Sequence, residues 1–418
     1  MRKTHLRKGT KDSEMIAGID FGTTKICVVI GKDTPDGLEI VGIGTQPSLG
    51  IRKGVVVNIP TTVEAIEKAV EVAELMAGCH IERAYVGIAG SHIKGFNSIG
   101  VVAIKNKEVS QEDVDRAMDA ARAVAIPLDR EVLHVIPQEF TVNDQEGVKD
   151  PVGMFGVRLE SRVHIVTGAV SSAQNIVKCA TLAGIDVADI VLEPLASAEA
   201  VINRDEKELG VALVDIGGGT TDIAIYVRGS VVHTGVIPMG GNHITNDIAV
   251  GLRTSIQHAE AVKIQSGCAM TSLLGQEQII EVASVGGRKP REISRSVLTK
   301  IIEPRVEEIF SLVNQELVNS GFKHLLSAGA VITGGSSLLE GAPELAEFIM
   351  DMPVRRGVPH GVGGLVDAIT SPIYATAVGL LCYGRHEKSQ GVKFGIKDEG
   401  HLYHRVVNRM RSWLGEVF

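Results

Sequence analysis

Residues 15–44 read MIAGIDFGTTKICVVIGKDTPDGLEIVGIG, and residues 209–238 read LGVALVDIGGGTTDIAIYVRGSVVHTGVIP. Each stretch is an apolar strand, a turn of glycine and threonine, a second strand, a polar turn and a third strand. The polar turns run from Asp33 to Gly37 in the first copy and from Arg228 to Ser230 in the second. Asp20 and Asp215 occupy the same place, at the end of the first strand. A repeat about 195 residues apart is too long for a solenoid. It predicts a duplicated domain with a cleft between the copies.

Helical spacing follows each three-strand unit. Residues 60–77 place Val63, Ile66, Val70, Ala73 and Leu75 near one face, with Pro60 at the start. Residues 110–125 open on Ser110 with acidic residues in the first turn. Further helices are predicted over 172–183, 194–203, 296–320, 341–350 and 371–384. Strands alternating with helices give an α/β class.

The two turns carry the chemistry. In Asp20-Phe21-Gly22-Thr23-Thr24-Lys25, glycine lets the backbone turn tightly, and N–H groups and hydroxyls can face an anion. The aspartate would repel a bare phosphate, so a Mg²⁺ held through water is expected between Asp20, Asp215 and the anion. The second copy adds Gly217, Gly218, Gly219 and Thr220, which allow close backbone approach from the opposite side. Either turn alone is an ordinary hairpin turn. The matched pair predicts a clamp on the β- and γ-phosphates of a nucleotide. Neither turn has the P-loop spacing. A third element, Ala330-Val331-Ile332-Thr333-Gly334-Gly335-Ser336-Ser337, is an apolar strand ending in glycines, against which an adenine ring can lie.

Composition narrows the partners. The 418 residues suggest several domains, and 44% hydrophobic with 22% charged residues is globular. Only 4% are aromatic and the net charge is −8, which argues against nucleic acid. Five scattered cysteines without a CxxC pair point to a reducing compartment. His80, His134, His164 and His243 lack ligand spacing and read as ordinary histidines. The basic residues 1–14 lack an apolar segment after them and read as a disordered leader. No run of 18 apolar residues predicts a membrane span, so a cytoplasmic protein is expected.

The three glycine motifs in this order resemble those of the actin, Hsp70 and sugar-kinase superfamily. GIDFGTTK (18–25), ELMAGC (74–79), VLHVIPQEF (132–140), VDIGGGTTDIA (214–224), VGGRKPR (285–291), EPRVEEIF (303–310) and ATAVGLL (375–381) resemble the FtsA family of bacterial actin-like cell-division proteins. That resemblance implies a duplicated actin-like ATPase fold with a nucleotide cleft between two halves. Subdomain 1A would take 15–87 and 169–204, an inserted subdomain 1C 88–168, subdomain 2A 205–243 and 328–384, and subdomain 2B 244–327. It implies ATP and Mg²⁺ held by Asp20, Gly22, Thr23, Thr24, Lys25, Glu193, Asp215, Gly217, Gly218, Gly219, Thr220, Gly334, Gly335 and Ser336. Glu260 and Lys263 resemble a pair that contacts ribose and adenine, although at i,i+3 they also read as a solvated ion pair. Hydrolysis would be slow at most, and no catalytic residue is assigned.

The last eighteen residues, HLYHRVVNRMRSWLGEVF, follow a polar linker at 385–400. Tyr403, Val406, Met410, Trp413, Leu414 and Phe418 keep helical spacing, with Arg409 and Arg411 among them. The segment 401–418 is too short and too charged to cross a bilayer. It suits an amphipathic helix lying on anionic lipid, or one docked on the body of the protein. The resemblance implies a peripheral protein at midcell on the cytoplasmic face of the membrane. It would polymerise, tether FtsZ filaments by receiving the C-terminal peptide of FtsZ on subdomain 2B, and recruit later division proteins through subdomain 1C. Arg288, Lys289, Arg291, Arg295, Lys300 and Arg305 form a basic cluster in an acidic chain. Arg291 and Arg305 resemble the family's FtsZ-docking positions, while a solvated basic face is the plainer reading. An Hsp70-like chaperone and a sugar-kinase-like ATPase are the alternatives within the superfamily. The first would need a peptide-binding domain after the nucleotide domain, and the second a base in the cleft.

Overall fold

A computed structural model describes residues 15–275, 278–284 and 289–390. The leader and the segment 391–418, which carries all eight proposed membrane residues from Tyr403 to Phe418, lie outside the described residues, as does Arg288.

The first half opens with an antiparallel meander of β1 (Met15–Phe21), β2 (Lys25–Thr34) and β3 (Gly37–Pro47), in which Asp20 stands opposite Cys27. A short hairpin, β4 (Ile51–Arg52) with β5 (Val55–Val56), leads to α1 (Ile59–Ala77). The Asn58 side chain caps α1, and Gly78 closes it in the left-handed conformation. Ile66, Val70 and Ala73 are buried as the periodicity predicts, but Leu75 is 84% exposed. Leu75 lies nine residues beyond Ile66, two and a half helical turns, and so points the opposite way. Next, β6 (Arg83–Ile88) joins β1 in parallel.

The chain then leaves this sheet for an inserted unit. Strands β7 (Lys94–Ala103), β8 (Arg130–Val142), β9 (Gln145–Val148) and β10 (Arg158–Ala169) form an antiparallel sheet in the order β7-β10-β8-β9. Helix α2 (Gln111–Arg122), opened by a Ser110–Asp113 capping box, packs on it. Helix α3 (Val170–Leu182) returns to the first half, where β11 (Asp186–Leu192) pairs with β6 and α4 (Glu193–Val201) follows. After α5 (Arg204–Leu209) the meander recurs as β12 (Val211–Ile216), β13 (Thr221–Val227) and β14 (Ser230–Ile237), now with Asp215 opposite Asp222.

The second half continues with α6 (Gly241–Leu252), α7 (Ile256–Ser266), the hairpin β15 (Ile279–Val282) and β16 (Arg291–Ser294), and the long α8 (Arg295–Asn319). Strand β17 (Ala330–Thr333) lies parallel to β12, as β6 does to β1, and α9 (Ala342–Met350) leads to β18 (Val354–Arg356).

The close of the chain departs from the expected boundaries. Strand β19 (Val362–Gly364) pairs with β3, and after the short α10 (Val366–Ile369), α11 (Ala375–Gln390) packs on α4, β1 and β2. Residues 362–384, assigned from sequence to subdomain 2A, therefore build the first half. A three-residue edge strand carries too little pattern to announce its partner. Nor does Gly384 end the last helix, which runs on to Gln390. A side chain there would meet the Tyr85 ring at 2.4 Å, so Gly384 serves close packing. Arg385 pairs with Asp33, and Tyr85 donates to Glu387. The linker thus starts later than 385.

The inserted unit also touches the second half, along β14. Gln138 Nε2 donates to Val231 O at 3.0 Å and Asn97 Nδ2 donates to Val232 O at 3.1 Å. His164 sits behind them, with Nδ1 2.7 Å from Asn97 Oδ1 and Nε2 2.9 Å from Thr234 Oγ1. Asn97 Oδ1 can only accept, so Nδ1 carries the proton and Nε2 accepts from Thr234. Burial, aided by the charges of His233 and His134, pushes His164 down to about 3. The folded value lies below the ordinary 6.5, so its contribution is complete above pH 6.5 and is lost as pH falls towards 3. At pH 5 that loss is roughly 2 kcal/mol. His164→Gln removes the titration, so its stability deficit against the parent should shrink by about 2 kcal/mol between pH 7.5 and pH 5. Denaturant unfolding at both pH values measures this, and a constant deficit would contradict it.

Candidate functional site

The two repeated turns face each other across a cleft of about 540 Å³ between the halves. In the first turn, Thr23 Oγ1 accepts from Gly54 N at 3.1 Å, which ties the turn to the β4–β5 hairpin. In the second, Gly217 N donates to Thr220 O at 3.0 Å. Gly241 N and Asn242 N then donate to Gly217 O and Gly218 O at 2.9 and 2.8 Å, stitching the start of α6 to the turn. The turns touch: a Cβ on Gly218 would stand 2.0 Å from Thr24 Oγ1. Gly219 packs against Thr23 and is the one proposed turn glycine outside the cleft lining. Gly217, which lines the cleft, has room for a side chain against protein atoms.

The third glycine element completes this wall. Gly334 adopts a φ of +81° beside the Asp215 carboxylate, and Ser336 Oγ donates to Gly217 O at 3.2 Å. From α7, Lys263 Nζ reaches Glu260 at 2.8 Å, Thr245 Oγ1 at 2.9 Å and Gly241 O at 3.2 Å. Glu260 also accepts from Thr245. The pair is therefore bound to α6 and lines the cleft.

Four carboxylates gather at the floor. Burial raises Asp20 to about 6, opposed by the Lys25 charge and aided by Asp215. Burial raises Asp215 too, against hydrogen bonds from Ser197 Oγ at 2.6 Å and Thr376 Oγ1 at 3.3 Å. Burial, with the charges of Asp20, Asp222 and Asp215, holds Glu193 well above the ordinary carboxylate range. Asp222 is pushed up to about 7 by burial, although Thr220 Oγ1 donates to it at 2.8 Å. Against these stands Lys25, whose Nζ is buried without a hydrogen bond, 4.6 Å over the Tyr374 ring. One oxygen of Asp222 is also buried without a partner. This set can take up a divalent cation and, with it, a polyanion. Among the described residues no three acidic, histidine or cysteine side chains converge to hold a metal directly.

Asp222, Asn242, Thr376 and Arg295 also line the cleft, beyond the site residues expected from the sequence. For Asp222 a signal existed, because the second copy ends its turn on a carboxylate where the first has Cys27. For Arg295 there was none, since it read as one of a basic cluster. The two proposed docking cations stand elsewhere. Arg291 is exposed and donates to Leu252 O. Arg305 grips Asp247 through Nε at 2.6 Å and Nη2 at 3.2 Å, and also pairs with Glu308, so it is not free as a solvated basic face requires.

Comparison with known proteins decides the family. A relative from Pseudomonas aeruginosa named "Cell division protein FtsA" is 52% identical over 97% of this chain and 98% of its own length. The chain belongs to the FtsA family of actin-like cell-division proteins. The "Cell division protein FtsA" of Escherichia coli K12 is 41% identical over 97% of this chain and 99% of its own. The family model "Cell division protein FtsA" matches residues 212–379, and "SHS2 domain inserted in FTSA" matches residues 90–167. Among solved structures, the PilM-PilN type IV pilus biogenesis complex aligns with TM-score 0.64 and 15% identity over 88% of this chain and 98% of that one. MreB5 of Spiroplasma citri bound to ADP aligns with TM-score 0.55 and 15% identity, over 91% of this chain and 99% of that one. These neighbours share the actin-like fold.

Proposed function

We propose that this chain binds ATP with Mg²⁺ in the cleft, polymerises, and ties FtsZ filaments to the cytoplasmic membrane. One observation carries the nucleotide reading: two turns of the same composition, one from each half, meet across a single cleft above buried carboxylates. The orphaned Asp222 oxygen and Lys25 amine fit a Mg²⁺–polyphosphate pair that would satisfy both. Asp20 and Asp215 would hold the hydrated ion, which neutralises the phosphates when bound. The backbone of 217–218 and Lys25 would hold the anion, and Glu260 and Lys263 the sugar end. The related fold of MreB5, bound to ADP, favours this reading.

Membrane attachment rests on the sequence of 401–418. A single short helix binds reversibly, and a row of linked copies would raise affinity by roughly 10²–10⁴. Arg291, being exposed, is the better candidate for the acidic FtsZ peptide. Arg305 would have to exchange Asp247 and Glu308 for that peptide. Later division proteins would meet the inserted unit.

Trp413 emission, with MgATP and anionic vesicles, tests the membrane part. The comparison is a chain ending at Gln390, which keeps α11 whole. A saturable blue shift and co-sedimentation lost on truncation are expected. An unchanged spectrum would place the tail on the protein body. Gly218→Val should abolish MgATP binding by driving a side chain into Thr24, and unchanged affinity by calorimetry would remove the site.

A further inference from the structure

Beyond Lys263 the cleft continues for one more turn of α7, and there three separate segments converge on Arg295. Its Nε donates to Ser266 O at 2.8 Å, its Nη1 to Gln278 Oε1 at 3.2 Å, and its Nη2 to Glu340. Ser266 is three residues past Lys263, which touches Gly241, and Glu340 is four past Ser336, which touches Gly217. Two walls that start beside the phosphate turns thus both end on this guanidinium, and along α7 the step from Lys263 to Ser266 is about 5 Å by helical rise. Three acceptors on three nitrogens hold a planar group in one orientation, and its side chain remains 17% exposed while lining the cleft. Two residues before each of the Arg295 partners Ser266 and Glu340, on the two walls, the same lining carries Ile264, 73% exposed, and Leu338, 46% exposed. Apolar side chains left open in the same lining as a fixed, flat cation suit a flat aromatic ring that covers both.

We propose that Arg295 is a further binding residue, whose guanidinium face stacks on the base of the nucleotide. Glu340 is a positioning residue that fixes the plane of that guanidinium. The inference rests on the nucleotide reading above and adds the group that recognises the base. Arginine suits this role because its charge is delocalised over a plane, which stacks on an aromatic ring as a lysine ammonium does not.

The test compares two probes on the full chain, MgATP and Mg-tripolyphosphate, by calorimetry. Arg295→Met keeps the length of the side chain and loses the plane and the charge. It should weaken MgATP about tenfold and leave Mg-tripolyphosphate within twofold. Glu340→Gln should weaken MgATP about threefold, again without effect on the base-free probe. Arg295→Lys, expected to lose about fivefold for MgATP only, carries the test if the methionine variant does not fold. Equal losses for both probes would make Arg295 a structural residue and overturn the inference, as would unchanged MgATP affinity. A parent chain that binds neither probe would overturn the nucleotide reading itself.

Discussion

Asp222→Asn is expected to raise the stability of the nucleotide-free protein at pH 7.5 while weakening MgATP binding at least tenfold. Asp222 is fully buried, and burial together with the Asp215 charge lifts it from 3.8 to about 7. The folded value is above the unfolded one. Its contribution is therefore intact below pH 3.8 and is lost as pH rises through about 7. Above that point the loss reaches roughly 4 kcal/mol. Asparagine removes the titration and still accepts from Thr220. Its amide inherits the position of the orphaned oxygen, which costs about 1–2 kcal/mol. The net gain is about 2–3 kcal/mol at pH 7.5 and close to nothing at pH 5. Thermal unfolding at both pH values, with a parallel MgATP titration, measures the two effects. A lower melting temperature at pH 7.5 would mean that the carboxylate stabilises the apo fold. An unchanged titration would mean that it takes no part in binding.

This pairing of cost and function explains which parts of the molecule were legible in the sequence. The repeat was, because strand pairing is periodic: Asp20 and Asp215 each end a first strand and each begin a glycine–threonine turn. The cap of α2 was, because Ser110 and Asp113 act within one turn of chain. Features decided by distant contacts were not. Gly384 looks like a helix stop, and only the Tyr85 ring against it reveals why glycine stands there. Strand β19 has three residues and needs β3 to be a strand at all. Arg305 and Arg295 sit in one basic run, yet Asp247 engages the first and Ser266, Gln278 and Glu340 engage the second. Charge reads from sequence, whereas the partner that fixes it does not.

The crossing of α4 and α11 is where stability and the cleft are tied most closely, and Gly379→Ala should damage both. A Cβ on Gly379 would lie 1.8 Å from Ala196 O and 2.3 Å from its carbon, so one backbone must move. Overpacking of a core commonly costs about 1–3 kcal/mol. A direct collision with backbone, which has no rotamer to yield, is expected at about 3–5 kcal/mol. The neighbours of the collision are cleft residues. Ser197 follows Ala196 on α4, and Thr376 lies one turn before Gly379 on α11. Their hydroxyls stand 3.0 Å apart, and both donate to the same oxygen of Asp215. Pushing the helices apart takes both donors from that carboxylate and leaves a buried charge less satisfied. MgATP affinity should therefore fall together with denaturant stability. Gly384→Ala is the comparison on the same helix. Its Cβ meets only the edge of the Tyr85 ring, at 2.4 Å, and it lies five residues further from the cleft. It should cost about 1 kcal/mol by partial adjustment of that ring and leave nucleotide affinity unchanged. If Gly379→Ala lost stability but bound MgATP normally, Asp215 would hold its place without the two hydroxyls. The crossing would then be a packing contact alone.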